Sequence, residues 1–123
     1  MALQDPFITI QVPLNGSDCV KERTAFVATA GHYQVIGLTE RHSVLGSTTV
    51  MLVKAVGSTP IASGTPLLSS TVDLASPVEV PNQATLIGSD DLQTLAPGDA
   101  LALRWGATNL GPIGTVQIRL MRV

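Results

Sequence analysis

The chain offers few side chains for catalysis or metal binding. His32 and His42 lie ten residues apart, and zinc binding by this pair would need a carboxylate such as Glu40, without the spacing that zinc sites use. Cys19, the single cysteine, has no glycine-flanked nucleophile motif around it. Because both histidines adjoin predicted turns, we expect them at the surface. The residues predict an idle or buried thiol, no metal site and no cofactor.

Three carboxylates, those of Asp90, Asp91 and Asp99, lie near one end of the predicted fold, and hard cations prefer several oxygen ligands. The segment lacks the alternating ligands and the fixed glycine of a calcium loop, so a solvated turn that caps its own backbone is the better interpretation. The phosphate-binding loop Gly-x-x-x-x-Gly-Lys and the motifs His-Glu-x-x-His and Gly-x-Ser-x-Gly do not occur. We therefore predict that the chain is not an enzyme.

Aromatic residues make up only 3% of the chain. A sugar-stacking platform needs several rings on one face, and Trp105 with Tyr33 would have to supply it. Packing in a core or an interface is the more common use of such rings. A non-enzymatic binding module, such as a carbohydrate-binding sandwich, is thus the alternative function.

Composition describes a folded domain with an unusually neutral surface. The 123 residues are 45% hydrophobic and 13% charged, enough for one core and far from the disordered class. The net charge of −2 gives no basic field for nucleic acid. No run approaches the roughly 18 apolar residues of a membrane span, and the start lacks a signal-peptide pattern. We expect neither nucleic acid nor membrane as a partner, but we expect association, because few charges protect the surface.

The elements that must position these residues are predicted to be strands. Eleven glycines and eight prolines interrupt every long helix, while thirteen threonines and thirteen valines favour a pleated surface. Alternating or apolar runs bounded by turn residues predict strands at 7–12, 48–56, 61–63, 84–87, 101–105 and 115–123, and a hairpin of 24–30 with 32–38 around Gly31. This pattern predicts a single antiparallel β-sandwich or barrel.

Several positions within these strands carry specific expectations. Val116, Ile118 and Leu120 should face the core from a central or near-central strand. The run at 48–56 should be covered on both faces, with Lys54 reaching an edge. Pro97-Gly98 predicts a type II turn, because proline sets φ at its first corner and glycine permits positive φ at its second.

The first 22 residues are predicted to form an extended N-terminal arm, with the sandwich at 23–123. Ile8, Ile10 and Val12 make an apolar stripe, the breaker Pro-Leu-Asn-Gly follows at once, and a charged link comes next. The alternative within the link is a helical turn at 17–23. We expect the arm to contact a neighbouring subunit or partner through Phe7, Ile8, Ile10 and Val12.

Four segments in order resemble the small capsid decoration, or cement, proteins of tailed bacteriophages: TVMLVKA at 49–55, ASGTPLL at 62–68, LAPGDALAL at 95–103 and GTVQIRL at 114–120. Residues 25–31 and 39–42 fit the same pattern, so the resemblance spans about residues 24–123. It implies a jelly-roll-like sandwich and a virion structural protein on the outer capsid surface, made in the host cytoplasm. It further implies binding to the major capsid protein, stabilisation of the shell, assembly as homotrimers or clusters, and an N-terminal arm that reaches neighbours. The base of a head fibre, a non-enzymatic binding module, is the alternative beside the carbohydrate-binding sandwich.

Overall fold

The computed structural model describes residues 7–15, 22–44, 49–74, 82–87, 93–105 and 113–123. Regular structure in these segments is β-strand apart from one short 3₁₀ helix at Ile61–Ser63. The strands are β1 (Phe7–Asn15), β2 (Glu22–Val27), β3 (Tyr33–Val44), β4 (Thr49–Ala55), β5 (Thr65–Pro66), β6 (Val72–Asp73), β7 (Asn82–Gln83), β8 (Thr94–Leu95), β9 (Ala100–Trp105) and β10 (Ile113–Arg122). Within the described residues no helix is long and apolar enough to cross a membrane.

The strands form two antiparallel sheets packed face to face. Sheet 1 has the order β1-β10-β3-β7, with β8 also paired to β3, and sheet 2 has the order β2-β9-β4-β5, with β6 also paired to β4. Early strands therefore pair with late strands in a nested order, in which β1 pairs with β10 and β2 pairs with β9. This nesting is the pairing of a jelly roll. The predicted all-β sandwich is confirmed.

The core lies between the sheets and follows the alternation of the strands. Val116, Ile118 and Leu120 of β10 are completely buried, and β10 lies between β1 and β3, as the sequence predicts. Sheet 2 faces them with apolar side chains of β4 and β9. The principal members from that sheet are Val50, Leu52, Leu101, Leu103 and Trp105.

Strand β4 is covered on both faces, as its apolar run predicts. Val53 is completely buried although it points away from the core, because the 3₁₀ helix covers the outer face of sheet 2. The Arg104 guanidinium fixes this cover by donating a hydrogen bond to the Ala62 carbonyl (3.3 Å). The strand predicted at 61–63 is therefore wrong. Bonds from Ser63 N to Pro60 O and from Gly64 N to Ile61 O close a 3₁₀ turn there instead.

The predicted hairpin around Gly31 is also wrong. Gly31 does turn the chain, with φ of 74°, but β2 joins β9 in sheet 2 while β3 joins β10 in sheet 1. The turn therefore connects the two sheets. The Phe26 and Tyr33 rings meet across it edge to face, with centroids 5.2 Å apart. This aromatic contact closes one end of the sandwich.

Residues 7–15, expected within an arm, lie in the body of the sandwich. They pair with β10 of the same chain from Phe7↔Met121 to Asn15↔Ile113. The break at Pro13 does not end the strand, because β1 lies at a sheet edge, where proline is tolerated. The Arg23 guanidinium donates a hydrogen bond to the Pro13 carbonyl (3.1 Å), which links β1 to β2. Strand β1, which the sequence placed in the arm, is thus part of sheet 1. The link at 16–21 lies outside the described residues.

Candidate functional site

The four residues predicted to contact a partner separate into two groups. Ile8 and Ile10 pack against the core and Val12 belongs to it, with only 4% of its surface exposed. These three side chains hold β1 onto its own sandwich. Phe7 differs: it is 44% exposed, and the Arg119 guanidinium lies 5.7 Å from its ring centroid. Of the predicted set, Phe7 is the residue whose ring is available at the surface.

Exposed large apolar side chains of the described residues gather at one end of the sandwich, which we call the apolar end. Phe7 begins β1 and Val123 follows β10, its neighbour in sheet 1. In sheet 2, Val27 ends β2 opposite Ala100, and Val56 follows the end of β4. Their exposed fractions are 44%, 59%, 48% and 55%, and Ile36, near the start of β3, adds 37%.

A buried polar cluster occupies the interior of sheet 1. The Glu40 carboxylate accepts hydrogen bonds from His42 Nδ1 (2.8 and 3.0 Å to its two oxygens) and from Asn82 Nδ2 (2.8 Å). Both Glu40 and His42 are completely buried. Both histidines were expected at the surface. This expectation is wrong for His42, because its position in β3 directs the side chain inward. His32 is exposed.

The cluster does not amount to a metal centre by its composition. Within the described ranges, no three His, Cys, Asp or Glu side chains lie close enough together to hold a metal ion. Glu40 and His42 contribute two groups of that kind, and Asn82 supplies an amide. Cys19 lies outside the described residues.

Asp99 caps a turn and is buried, with 6% of its surface exposed. Its carboxylate accepts a hydrogen bond from Ala96 N (2.9 Å) and lies 3.9 Å from Lys54 Nζ. The turn it closes has Gly98 at φ of 96° and a bond from Asp99 N to Ala96 O, which confirms the predicted type II geometry. Lys54 is mostly buried and donates to the Thr94 carbonyl (2.6 Å) instead of reaching an open edge. Asp90 and Asp91 lie outside the described residues.

The two rings required for a stacking platform are in the interior. Trp105 is 4% exposed and Tyr33 is 9% exposed, and both belong to the core cluster. The Trp105 indole N–H is buried and has no hydrogen-bond partner among the residues that the structure describes. A sugar platform built on these rings is therefore excluded by their burial.

The outer face of sheet 1 is polar and organised in rows across the strands. Gln11 of β1 lies opposite Gln117 of β10, Gln117 lies opposite Thr39 of β3, and Thr39 lies opposite Gln83 of β7. We call these four residues the amide row. Arg119 and Arg41 occupy the rows on either side of it.

Comparisons with protein families, curated proteins and solved structures find no significant match. The function must therefore be argued from the chain itself.

Sequence reasoning missed both the buried pair and the amide row. The alternation of β1 and β10 indicates that Gln11 and Gln117 point outward, but their alignment depends on pairing between the two ends of the chain. Glu40 and His42 have the spacing of residues on one face of a strand, and this period of two was the available signal. A turn was predicted at Ser43, next to His42, yet β3 continues through Val44.

Proposed function

We propose that the protein is a non-enzymatic virion structural protein that binds the outer surface of a major capsid shell and stabilises it. The apolar end carries this proposal. Exposed apolar side chains that converge on one end of a weakly charged domain are typical of a protein interaction site. A decoration protein needs such a docking surface and no catalytic centre.

The resemblance to phage cement proteins supports the same function through the placement of its segments. Residues 49–55 are β4, residues 62–68 include β5, and residues 95–103 run from β8 into β9. Strands β5, β4 and β9 are neighbours in sheet 2. Three of the four resembling segments therefore contribute neighbouring strands of sheet 2, and the fourth, at 114–120, lies in β10 of sheet 1.

The mechanism is mechanical and depends on interface area. Val27 and Val56 from sheet 2, together with Phe7 and Val123 from sheet 1, would become buried against the shell. Each such side chain contributes to binding in proportion to the apolar area removed from water, about 25 cal/mol per Å². Copies bound as homotrimers at local threefold positions would link neighbouring capsid subunits and oppose their separation under internal pressure.

Co-sedimentation with shells of the major capsid protein encoded in the same genome tests the proposal. We expect the protein to pellet with the shells and to raise their melting temperature. The double variant Val27→Ser and Val56→Ser should bind at least about tenfold more weakly, because the interface loses apolar burial. Glu22→Ser, at the other end of β2, serves as the control, and urea unfolding checks that every variant is folded.

A protein that remains in the supernatant at tens of micromolar shell protein would overturn the capsid proposal. Equal loss of binding in the control and in the double variant would show that the apolar end is not the docking surface. Analytical ultracentrifugation of the free protein tests the trimer separately.

A further inference from the structure

The amide row lies on the outer face of sheet 1, which borders the apolar end at Phe7 and Ile36. Its four residues cross all of β1, β10, β3 and β7, and Gln11, Gln117 and Gln83 are exposed. Three strand spacings of about 4.8 Å make the row about 14 Å long. A linear ligand can therefore contact every member at once.

Two hollows of the surface adjoin the row and share Thr39. The larger, about 500 Å³, is lined by Gln11 and Gln117 together with Arg41, Ser43 and Thr115. The smaller, about 280 Å³, is lined by Gln83 and Arg119 beside Ile36, Gly37 and Leu86. The two hollows lie on either side of Thr39.

The described residues of this face offer arginine and amide groups to a ligand. Arg119 and Arg41 lie one row to each side of the amide row, and the described strand residues of the face include no Asp or Glu. Glu40, the acidic residue of β3, points to the interior and is completely buried. The nearest described carboxylate is that of Asp73, which lines a separate hollow with Gln83 at the edge of the face.

We propose that this face binds an acidic oligosaccharide, with uronic acid carboxylates paired to Arg119 and Arg41 and sugar hydroxyls bonded to the amide row. A glutamine side chain both donates and accepts hydrogen bonds, as a hydroxyl-rich ligand requires. The planar guanidinium group pairs with a carboxylate through two parallel bonds. The proposal depends neither on capsid binding nor on the buried Trp105 and Tyr33 rings.

A single-stranded nucleic acid is the competing anionic ligand. Such ligands are held by bases stacked on aromatic rings along a basic groove. The amide row contains no aromatic residue, and the exposed ring on this face, Phe7, lies two rows from Gln11 beneath the Arg119 guanidinium. The composition of the face therefore favours the sugar.

Isothermal titration calorimetry with a galacturonic acid trimer tests the proposal on the full chain. We expect saturable binding of the acidic trimer and at least tenfold weaker binding of the neutral galactose trimer with the same linkage. Gln117→Ala and Arg119→Gln should each weaken binding of the acidic trimer about tenfold, the effect of losing a hydrogen bond to a charged or tightly held group. Arg104→Gln, on the outer face of sheet 2, is the matched control and should leave the affinity unchanged.

Nuclear magnetic resonance on the same samples locates the ligand. The side-chain amide signals of Gln11, Gln83 and Gln117 should shift on addition of the acidic trimer. The proposal fails if the trimer does not bind at millimolar concentration, if the neutral trimer binds equally well, or if a hexathymidylate oligonucleotide binds more tightly. It also fails if neither Gln117→Ala nor Arg119→Gln changes the affinity while both variants unfold in urea like the parent chain.

Discussion

His42 Nδ1 lies 2.8 Å from Glu40 Oε2 on the interior face of β3, and neither side chain is accessible to solvent. Breaking a buried pair of this kind leaves one group without compensation, whereas replacing both by apolar groups removes the problem. His42→Leu should therefore lower the free energy of unfolding by about 3 kcal/mol. The double variant Glu40→Leu with His42→Leu should be more stable than His42→Leu alone. Urea unfolding measures both, and additive losses would contradict a coupled pair.

Gly114 should tolerate no side chain. A Cβ at this position would overlap the Arg41 carbonyl oxygen and lie 2.5 Å from His42 Cα, both in the backbone of the neighbouring strand. Gly114→Ala should therefore cost about 2 kcal/mol or more, because β10 and β3 must separate locally. A Cβ at Gly37, in the same sheet, would meet no other atom within 4 Å, so Gly37→Ala is the control. Equal stabilities of the two variants in thermal unfolding would refute the close approach.

Replacement of Trp105 by phenylalanine should cost less than its burial suggests. The ring lies in the core, but its N–H has no acceptor in the described part of the chain, and an unsatisfied buried donor costs about 1–3 kcal/mol. Loss of that penalty should offset much of the packing loss, leaving a net change below about 1.5 kcal/mol, while Trp105→Ala should cost about 3–5 kcal/mol. A loss near 3 kcal/mol for Trp105→Phe in chemical denaturation would mean that the N–H has a partner in solution.

Truncation before residue 15 should destabilise the sandwich. Val12 and Leu14 are in the core, and β10 would lose its neighbour on one side. Burial of two such side chains is worth about 4 kcal/mol, so deletion of residues 1–14 should lower the melting temperature strongly or prevent folding. Deletion of residues 1–6, which leaves β1 intact, is the control. A fully stable chain lacking residues 1–14 would restore the independent arm expected from the sequence.

The local alternation of the strands was enough to predict the central elements. Val116, Ile118 and Leu120 alternate with other residues along β10. Because successive side chains of a strand point to opposite faces, these three lie on the same face and are buried together. The type II turn at Pro97-Gly98 was predictable for a similar reason, since both residues have restricted or special φ values. Local stereochemistry determines features of this kind.

Features that depend on distant pairing were not predictable in the same way. Because β2 and β3 are adjacent in the chain, the sequence favoured a hairpin between them. In the structure β2 pairs with β9 instead, and Phe26 lies opposite Leu101 at the core. The break at Pro13 favoured an arm, yet the register with β10 buries Val12 and Leu14. The alternation of polar and apolar residues predicts that Gln11 and Gln117 point outward. Their alignment could be predicted only from the register between β1 and β10.

The position of β10 between β1 and β3 imposes an order on biosynthesis. Among the described strands, β1 and β3 do not pair with each other, and β10, which joins them, follows the other nine along the chain. A ribosome therefore synthesises β1 to β9 before sheet 1 can gain its middle strand. Contacts of such large sequence separation also form slowly. Until β10 is made, the apolar faces of β1 and β3 lack the strand that joins them, and exposed apolar surface and unpaired strand edges of this kind favour aggregation.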